Sequence, residues 1–296
     1  VSEVGDDALD EVVEDEVEDE FYDDGPSVWT SDAELDLEDA RRLTSRRGAT
    51  LTMFLGETGV GKTTLLAELW TDLLLHGSLG SVRFAGSCTA LPFEQRAFES
   101  RMESGVMKAF TLKTYEEDDG FLHLRVSPSA GRVVELLLSD FAGEHFVRIR
   151  EGTALEDELP WAGRADRFVV VLDAKAATSP GEGEVVVTRT ERLLHALDGA
   201  SDVVGSRRLA LVVAKDDAVE DERRDGLSLT IERLQKSAHR FDPGTSVIHV
   251  AARPAHGVAP YGLDSLLQWL AADSEVTPSV LHEAATPARA FARFRA

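Results

Sequence analysis

Apolar positions recur along this chain in two rhythms. Short, mainly apolar runs stand at 49–55, 167–173, 208–214 and 246–250, as expected of strands covered on both faces of a parallel sheet. Between them the spacing changes to i, i+3, i+4. Leu65, Leu66, Leu69, Trp70, Leu73 and Leu74 form such a stripe until Gly77 ends it, and further helices are expected at 93–104, 186–197, 229–238 and 263–271. A third signature lies at 121–138, where two apolar runs flank Ser127-Pro128-Ser129-Ala130-Gly131; that is the pattern of a hairpin. Past the hairpin, strand and helix alternate. The pattern predicts a three-layer α/β fold whose sheet is mostly parallel with one antiparallel strand, with ligand contacts at the carboxyl ends of the strands.

Charge sets the outer boundaries. Residues 1–40 contain 18 Asp or Glu and no Lys or Arg, so the formal net charge of −23 belongs mainly to that stretch. Such a segment repels itself and buries too little apolar surface to offset ordering entropy. A disordered acidic tail is therefore expected over 1–47, a folded domain over 48–273, and a flexible Ala/Pro-rich tail over 274–296. Two roles stay open for the acidic tail: a solubilising segment, or one that docks on a basic partner or on the molecule's own Arg-bearing surface.

The strand at 49–55 runs directly into Gly56-Glu57-Thr58-Gly59-Val60-Gly61-Lys62-Thr63-Thr64, a G-x-x-x-x-G-K-T phosphate cradle with the next helix opening inside it. Its glycines let consecutive backbone N–H groups face a β-phosphate, Lys62 neutralises β/γ charge, and the Thr63 hydroxyl completes a Mg²⁺ shell. Downstream, the second hairpin strand ends in Asp140-Phe141-Ala142-Gly143. In a phosphate-loop protein an acid at this place reaches the metal, and the Gly143 N–H senses the γ-phosphate. After the 208–214 strand comes Lys215-Asp216-Asp217. An ionised Asp217 accepts both N–H donors of the guanine edge, whereas adenine sets an acceptor against it, and pairing of this kind rejects the wrong partner by roughly 10⁴-fold. Past the last strand, the Ala252 N–H is placed to meet the guanine carbonyl oxygen.

The order of these motifs resembles the TRAFAC class of GTPases over about 48–273, and so implies a small-GTPase-like P-loop NTPase fold binding GTP/GDP with Mg²⁺. Within that class, Val82-Arg83-Phe84-Ala85-Gly86-Ser87 and Asp140-Phe141-Ala142-Gly143-Glu144 resemble the bacterial double-GTPase families of conflict and signalling operons. That resemblance implies a protein partner: a second GTPase, a GTPase-activating protein or an effector. It also implies a first switch in the enlarged segment 78–119, with Thr114, in preference to Thr111, on the metal and γ-phosphate. Three departures accompany it. Ala214 replaces the usual Asn, removing one or two hydrogen bonds of about 1 kcal/mol each. Glu144 stands where a Gln or His orients the attacking water, with His145 next to it as a substitute, so intrinsic hydrolysis is expected to be slow. The insert lengthens the path from cradle to Asp140. Arg96, Arg101, Arg148 and Arg150 are the cis candidates for an arginine finger, and a finger from a partner is equally open.

Several other chemistries are absent from the sequence. Eight His and one Cys form no H-E-x-x-H or Cys/His cluster, there is no G-x-S-x-G elbow, and no dense basic stripe supports nucleic-acid binding. No apolar run approaches the roughly 18 residues that span a bilayer, and the lone Cys88 suits a reducing compartment; a cytoplasmic protein without membrane contact is expected. A P-loop ATPase with Asp140 as its metal acid, or a nucleotide-loaded scaffold that does not hydrolyse, remain the alternatives.

Overall fold

The computed structural model describes residues 30–104, 120–129, 132–201, 207–254 and 258–272. Its strands are β1 (Thr50–Leu55), β2 (Ser78–Leu79), β3 (Val82–Gly86), β4 (Phe121–Ser129), β5 (Arg132–Ser139), β6 (Arg167–Asp173), β7 (Arg208–Ala214) and β8 (Ser246–Val250). They form one sheet in the order β2-β3-β4-β5-β1-β6-β7-β8. From β5 to β8 every neighbouring pair is parallel, with Met53 opposite Phe168 and Val171 opposite Val212. The helices are α1 (Leu37–Arg47), α2 (Lys62–His76), α3 (Ala90–Ser104), α4 (Gly143–Glu151), α5 (Leu155–Glu158), α6 (Ala174–Ala177), α7 (Gly183–Gly199), α8 (Arg224–Ala238) and α9 (Leu263–Ala271).

The side-chain period of two along β1 feeds both faces of the sheet. Leu51, Met53 and Leu55 join one core with Phe146 of α4, Leu194 and Leu197 of α7, and Leu234 of α8. Phe54 faces the other, with Leu65, Leu66 and Leu69 of α2, Phe93 of α3, and Leu266, Leu267 and Leu270 of α9. Full burial of each such side chain stabilises the fold by about 1.5–3 kcal/mol, so the three layers follow from the alternation. The end of α9 is held by the buried Arg167, whose guanidinium donates to the Trp269 carbonyl at 2.7 Å and also to those of Leu270 and Ala272. These otherwise unsatisfied helix-end carbonyls gain a charged donor. Among the described residues no helix is long and apolar enough to cross a membrane.

The α/β three-layer architecture is as expected, with two corrections. The sheet carries two strands against its main direction, β2 and β4, because part of the 78–119 insert folds as a β2–β3 hairpin that extends the edge beyond β4. The expectation of disorder over 1–47 also fails where the chain is described. Residues 37–47 form α1, capped at its start by the Asp36 carboxylate on the Asp39 N–H and at its end by a left-handed Gly48. Its acidic first turn and basic last turn complement the helix dipole, and Leu35, Ala40 and Leu43 are buried. Net charge per stretch concealed these three apolar anchors. Residues 1–29 and the tail 274–296 lie outside the described residues.

Candidate nucleotide site

β1 delivers the chain to the cradle at Gly56, and α2 begins at Lys62. The turn between them requires backbone conformations that L side chains resist: Gly59 and Gly61 take φ of 83° and 109°. Lys62 is buried and folds back over the loop, its Nζ donating to the Gly56 carbonyl at 2.6 Å while lying 5.0 Å from the centre of the Phe146 ring. Thr63 Oγ1 donates to Asp140 Oδ1 at 3.0 Å. Asp140, just past β5, is 0% exposed, and its Oδ2 accepts from Arg96 Nε at 2.6 Å. Three residues on, Gly143 rests on the cradle itself. A Cβ there would meet the Thr58 N and Oγ1 at 2.3 Å, so only glycine permits this approach.

Immediately past the end of β7, Lys215 adopts a left-handed φ of 57° and straps the cradle from the other side. Its Nζ donates to the Gly59 carbonyl at 2.7 Å and to Asp173 Oδ2 at 2.5 Å. Asp173 is fixed in turn as the cap of α6, its Oδ1 accepting the Ala176 N–H at 2.9 Å. Asp216 points inward, where it accepts from Tyr261 Oη at 2.7 Å and Arg224 at 3.1 Å and lies 3.1 Å from His249 Nδ1. Burial alone would raise its pKa, but the hydrogen bonds from Tyr261, His249 and Arg224 together hold it below the ordinary aspartate value. Burial, and then the bond to Asp216, push the Tyr261 phenol up to about 12. Asp217 is half-buried in the short 3-10 turn Asp216–Ala218. Ala252 is buried beyond β8, next to Ala251, whose N–H bonds the Tyr261 carbonyl at 3.1 Å. Arg253 Nε ties this segment to α2 through Glu68 at 2.7 Å.

Lys62, Thr63, Asp140, Gly143 and Lys215 are thus brought together around one loop. Thr64 follows in the first turn of α2, and Glu144 lies in the first turn of α4. His145 is drawn to a different partner, with Nδ1 3.1 Å from Glu158 Oε2. Arg148 Nε donates to the same oxygen at 2.8 Å. Burial raises the Glu158 pKa, and these two neighbours more than reverse it. The other arginine-finger candidates are engaged as well: Arg96 with Asp140, and Arg150 with Glu57, which also takes Arg189 at 3.1 Å. A cavity of about 160 Å³ opens beside the cradle, lined by Glu57, Thr58, Phe146, Arg189 and Leu193 among others. Thr111, Thr114 and the side chain of Arg101 lie outside the described residues.

Sequence reading passed over Asp173, Asp216, Glu158 and Glu34. Asp173 carried a usable signal, since it ends an apolar strand on the ligand side of the sheet; the others gain their meaning only from long-range pairing. For magnesium, the hydroxyl of Thr63 and the carboxylate of Asp140 converge as two hard oxygens beside the cradle. Among the described residues no group of three or more His, Cys, Asp or Glu forms a cage. A pair of protein oxygens suits an ion that takes its remaining ligands from phosphate and water.

A glycine-rich loop at the β1–α2 turn, an aspartate just past β5 and a Lys-x-Asp segment after β7 stand in the order of a P-loop protein of the GTPase type. Over residues 51–270 the chain matches the Double-GTPase 2 family, and it belongs to that family. Among solved structures, translation elongation factor SelB from Methanococcus maripaludis in complex with the GTP analogue GppNHp is 18% identical, covering 75% of this chain and 33% of its own, with a TM-score of 0.41. The SRβ–GTP/SRX complex of the signal recognition particle receptor from Chaetomium thermophilum is 14% identical, covering 75% of this chain and 97% of its own, also at 0.41. The chain spans about a third of the elongation-factor chain. At these identities and TM-scores neither likeness assigns a role. No curated protein matches the sequence significantly.

Proposed function

We propose that the chain is a GTP-binding molecular switch that hydrolyses GTP to GDP and phosphate with Mg²⁺, acting with a second GTPase or an effector in a bacterial conflict or signalling system. The observation that carries this reading is the convergence on the cradle of Thr63, Asp140, Gly143 and Lys215 from four separate elements. In the proposed complex the loop amides and Lys62 would hold the β- and γ-phosphates, and a bound magnesium would supply neutralisation of phosphate charge. Thr63 and Asp140 would hold that ion, directly or through its water. A γ-phosphate would add a hydrogen-bond partner for the Gly143 N–H, and its loss would free the start of α4. Asp217 reads the base, with Lys215 setting its turn against the cradle.

A second reading, a nucleotide-loaded scaffold without turnover, has one observation in its favour. His145 and Arg148 are both committed to Glu158, leaving Glu144 at the place where water would be oriented. Single-turnover phosphate release from bound GTP separates the two. The switch reading expects slow Mg²⁺-dependent release that a partner accelerates and a Lys62→Ala chain lacks. No release, alone or with the co-purified partner, favours the scaffold.

A further inference from the structure

Asp140 is one end of a buried chain of charges. Arg96 Nε bonds its Oδ2 at 2.6 Å, and the same guanidinium is paired with Glu34, from the segment that precedes α1. The side chains of Asp140, Arg96 and Glu34 are 0%, 12% and 13% exposed. Glu34 is held in place by its surroundings. Leu35 and Phe121 exchange backbone hydrogen bonds of 3.0 Å in both directions, and a Cβ on Gly120 would meet the Glu34 Cβ at 2.6 Å. Gly120 in turn accepts the Asp140 N–H through its carbonyl at 3.3 Å. One knot therefore joins the amino-terminal segment, α3, the start of β4 and the tip of β5.

We propose that Arg96 is a resident cation on the metal carboxylate, and that Glu34 is a positioning residue that sets, through Arg96, how tightly the chain retains magnesium with its nucleotide. The inference rests on the reading of Thr63 and Asp140 as the metal's protein ligands. A guanidinium on one carboxylate oxygen weakens the pull of the other on an incoming cation, and solvent screens little between groups this buried. Glu34 neutralises part of that guanidinium and so offsets the repulsion. Glu34 thereby acts on the proposed phosphate end of the site without touching nucleotide.

The test loads the full chain with a fluorescent GDP analogue and measures its release at Mg²⁺ concentrations set with a chelator, the readout being the midpoint for retention. Arg96→Met is expected to lower that midpoint about tenfold, and Glu34→Gln to raise it about threefold, the sizes expected of one buried charge at moderate effective dielectric. Glu34→Gln placed in the Arg96→Met background should have less than half its effect, because its influence runs through Arg96. Arg96→Lys, which keeps the charge, should stay within about threefold of the parent. A parent chain whose retention depends on Mg²⁺ and on Asp140, with a midpoint that Arg96→Met leaves unchanged or raises, would reduce Arg96 to a structural ion pair and overturn the inference alone. Retention indifferent to Mg²⁺ in the parent chain would overturn the metal reading and the inference together. Should Arg96→Met fail to fold, Glu34→Gln decides, and an unmoved midpoint there overturns the inference.

Discussion

At the proposed phosphate end of the site, Lys62, Thr63 and Lys215 bond the glycine-rich loop or Asp140 directly, whereas at the proposed base end the work is divided between two adjacent aspartates. Asp216 takes the bonds from Tyr261, Arg224 and His249, while Asp217 occupies the same turn half-buried. The difference teaches which substitutions separate binding from folding. Groups at the phosphate end are their own scaffold, so removing one disturbs both geometry and charge. At the base end the anchor and the proposed reader are distinct side chains and can be removed one at a time.

The largest expected effect is at Lys62. Lys62→Ala should weaken GDP and ADP alike by at least about 100-fold, since the charge-assisted contact to the β-phosphate and the loop's own brace are lost together; isothermal titration checks this. A weakening confined to GDP would break the comparison, because the phosphate end should not distinguish bases. Next comes Asp216→Asn, expected to lower stability by about 1–3 kcal/mol in urea unfolding by leaving buried donors poorly matched. Asp217→Ala should change stability by less than about 0.5 kcal/mol. The reverse ranking would exchange anchor and reader.

The smallest effect is the pH dependence of that anchor. Because the folded pKa of Asp216 lies below its ordinary value, its stabilising contribution is fully present above the unfolded aspartate pKa of about 3.9 and is lost as pH falls below that through the lower folded value. The stability difference between the parent chain and Asp216→Asn should therefore shrink in unfolding experiments as pH drops from about 5 to 3. A difference that grows over that range would mean the carboxyl is held protonated.

How much of this was legible in the residues differs between the same two ends. The cradle is a contiguous motif whose glycines, lysine and threonine each act within a few positions of one another, so local chemistry sufficed to place it. Strands β1 and β5 to β8 were equally plain, because burial on both faces leaves unbroken apolar runs. The pairing of Arg96 with Asp140 was not legible, since it joins residues from an insert and a distant strand. The same holds for His145, whose adjacency to Glu144 suggested water chemistry while the fold offered it Glu158. In Asp216-Asp217 two identical side chains follow each other, and which one turns inward is decided by Tyr261, far along the chain, together with Arg224 at the start of the next long helix. Helix α1 was concealed for a different reason: the acidic stretch was weighed by net charge, and Leu35, Ala40 and Leu43 contribute nothing to that sum.

The central claim is that one pocket reads polyphosphate through the cradle and guanine through Asp217, and calorimetric titration of the full chain with GDP and ADP in parallel tests it most directly. GDP is expected to bind at least about tenfold more tightly, a difference of about 1.4 kcal/mol, and Asp217→Ala should bring the two affinities within about twofold while leaving ADP affinity unchanged. Equal affinities in the unaltered chain would contradict the account and leave a P-loop ATPase, with Asp140 as its metal acid, in its place.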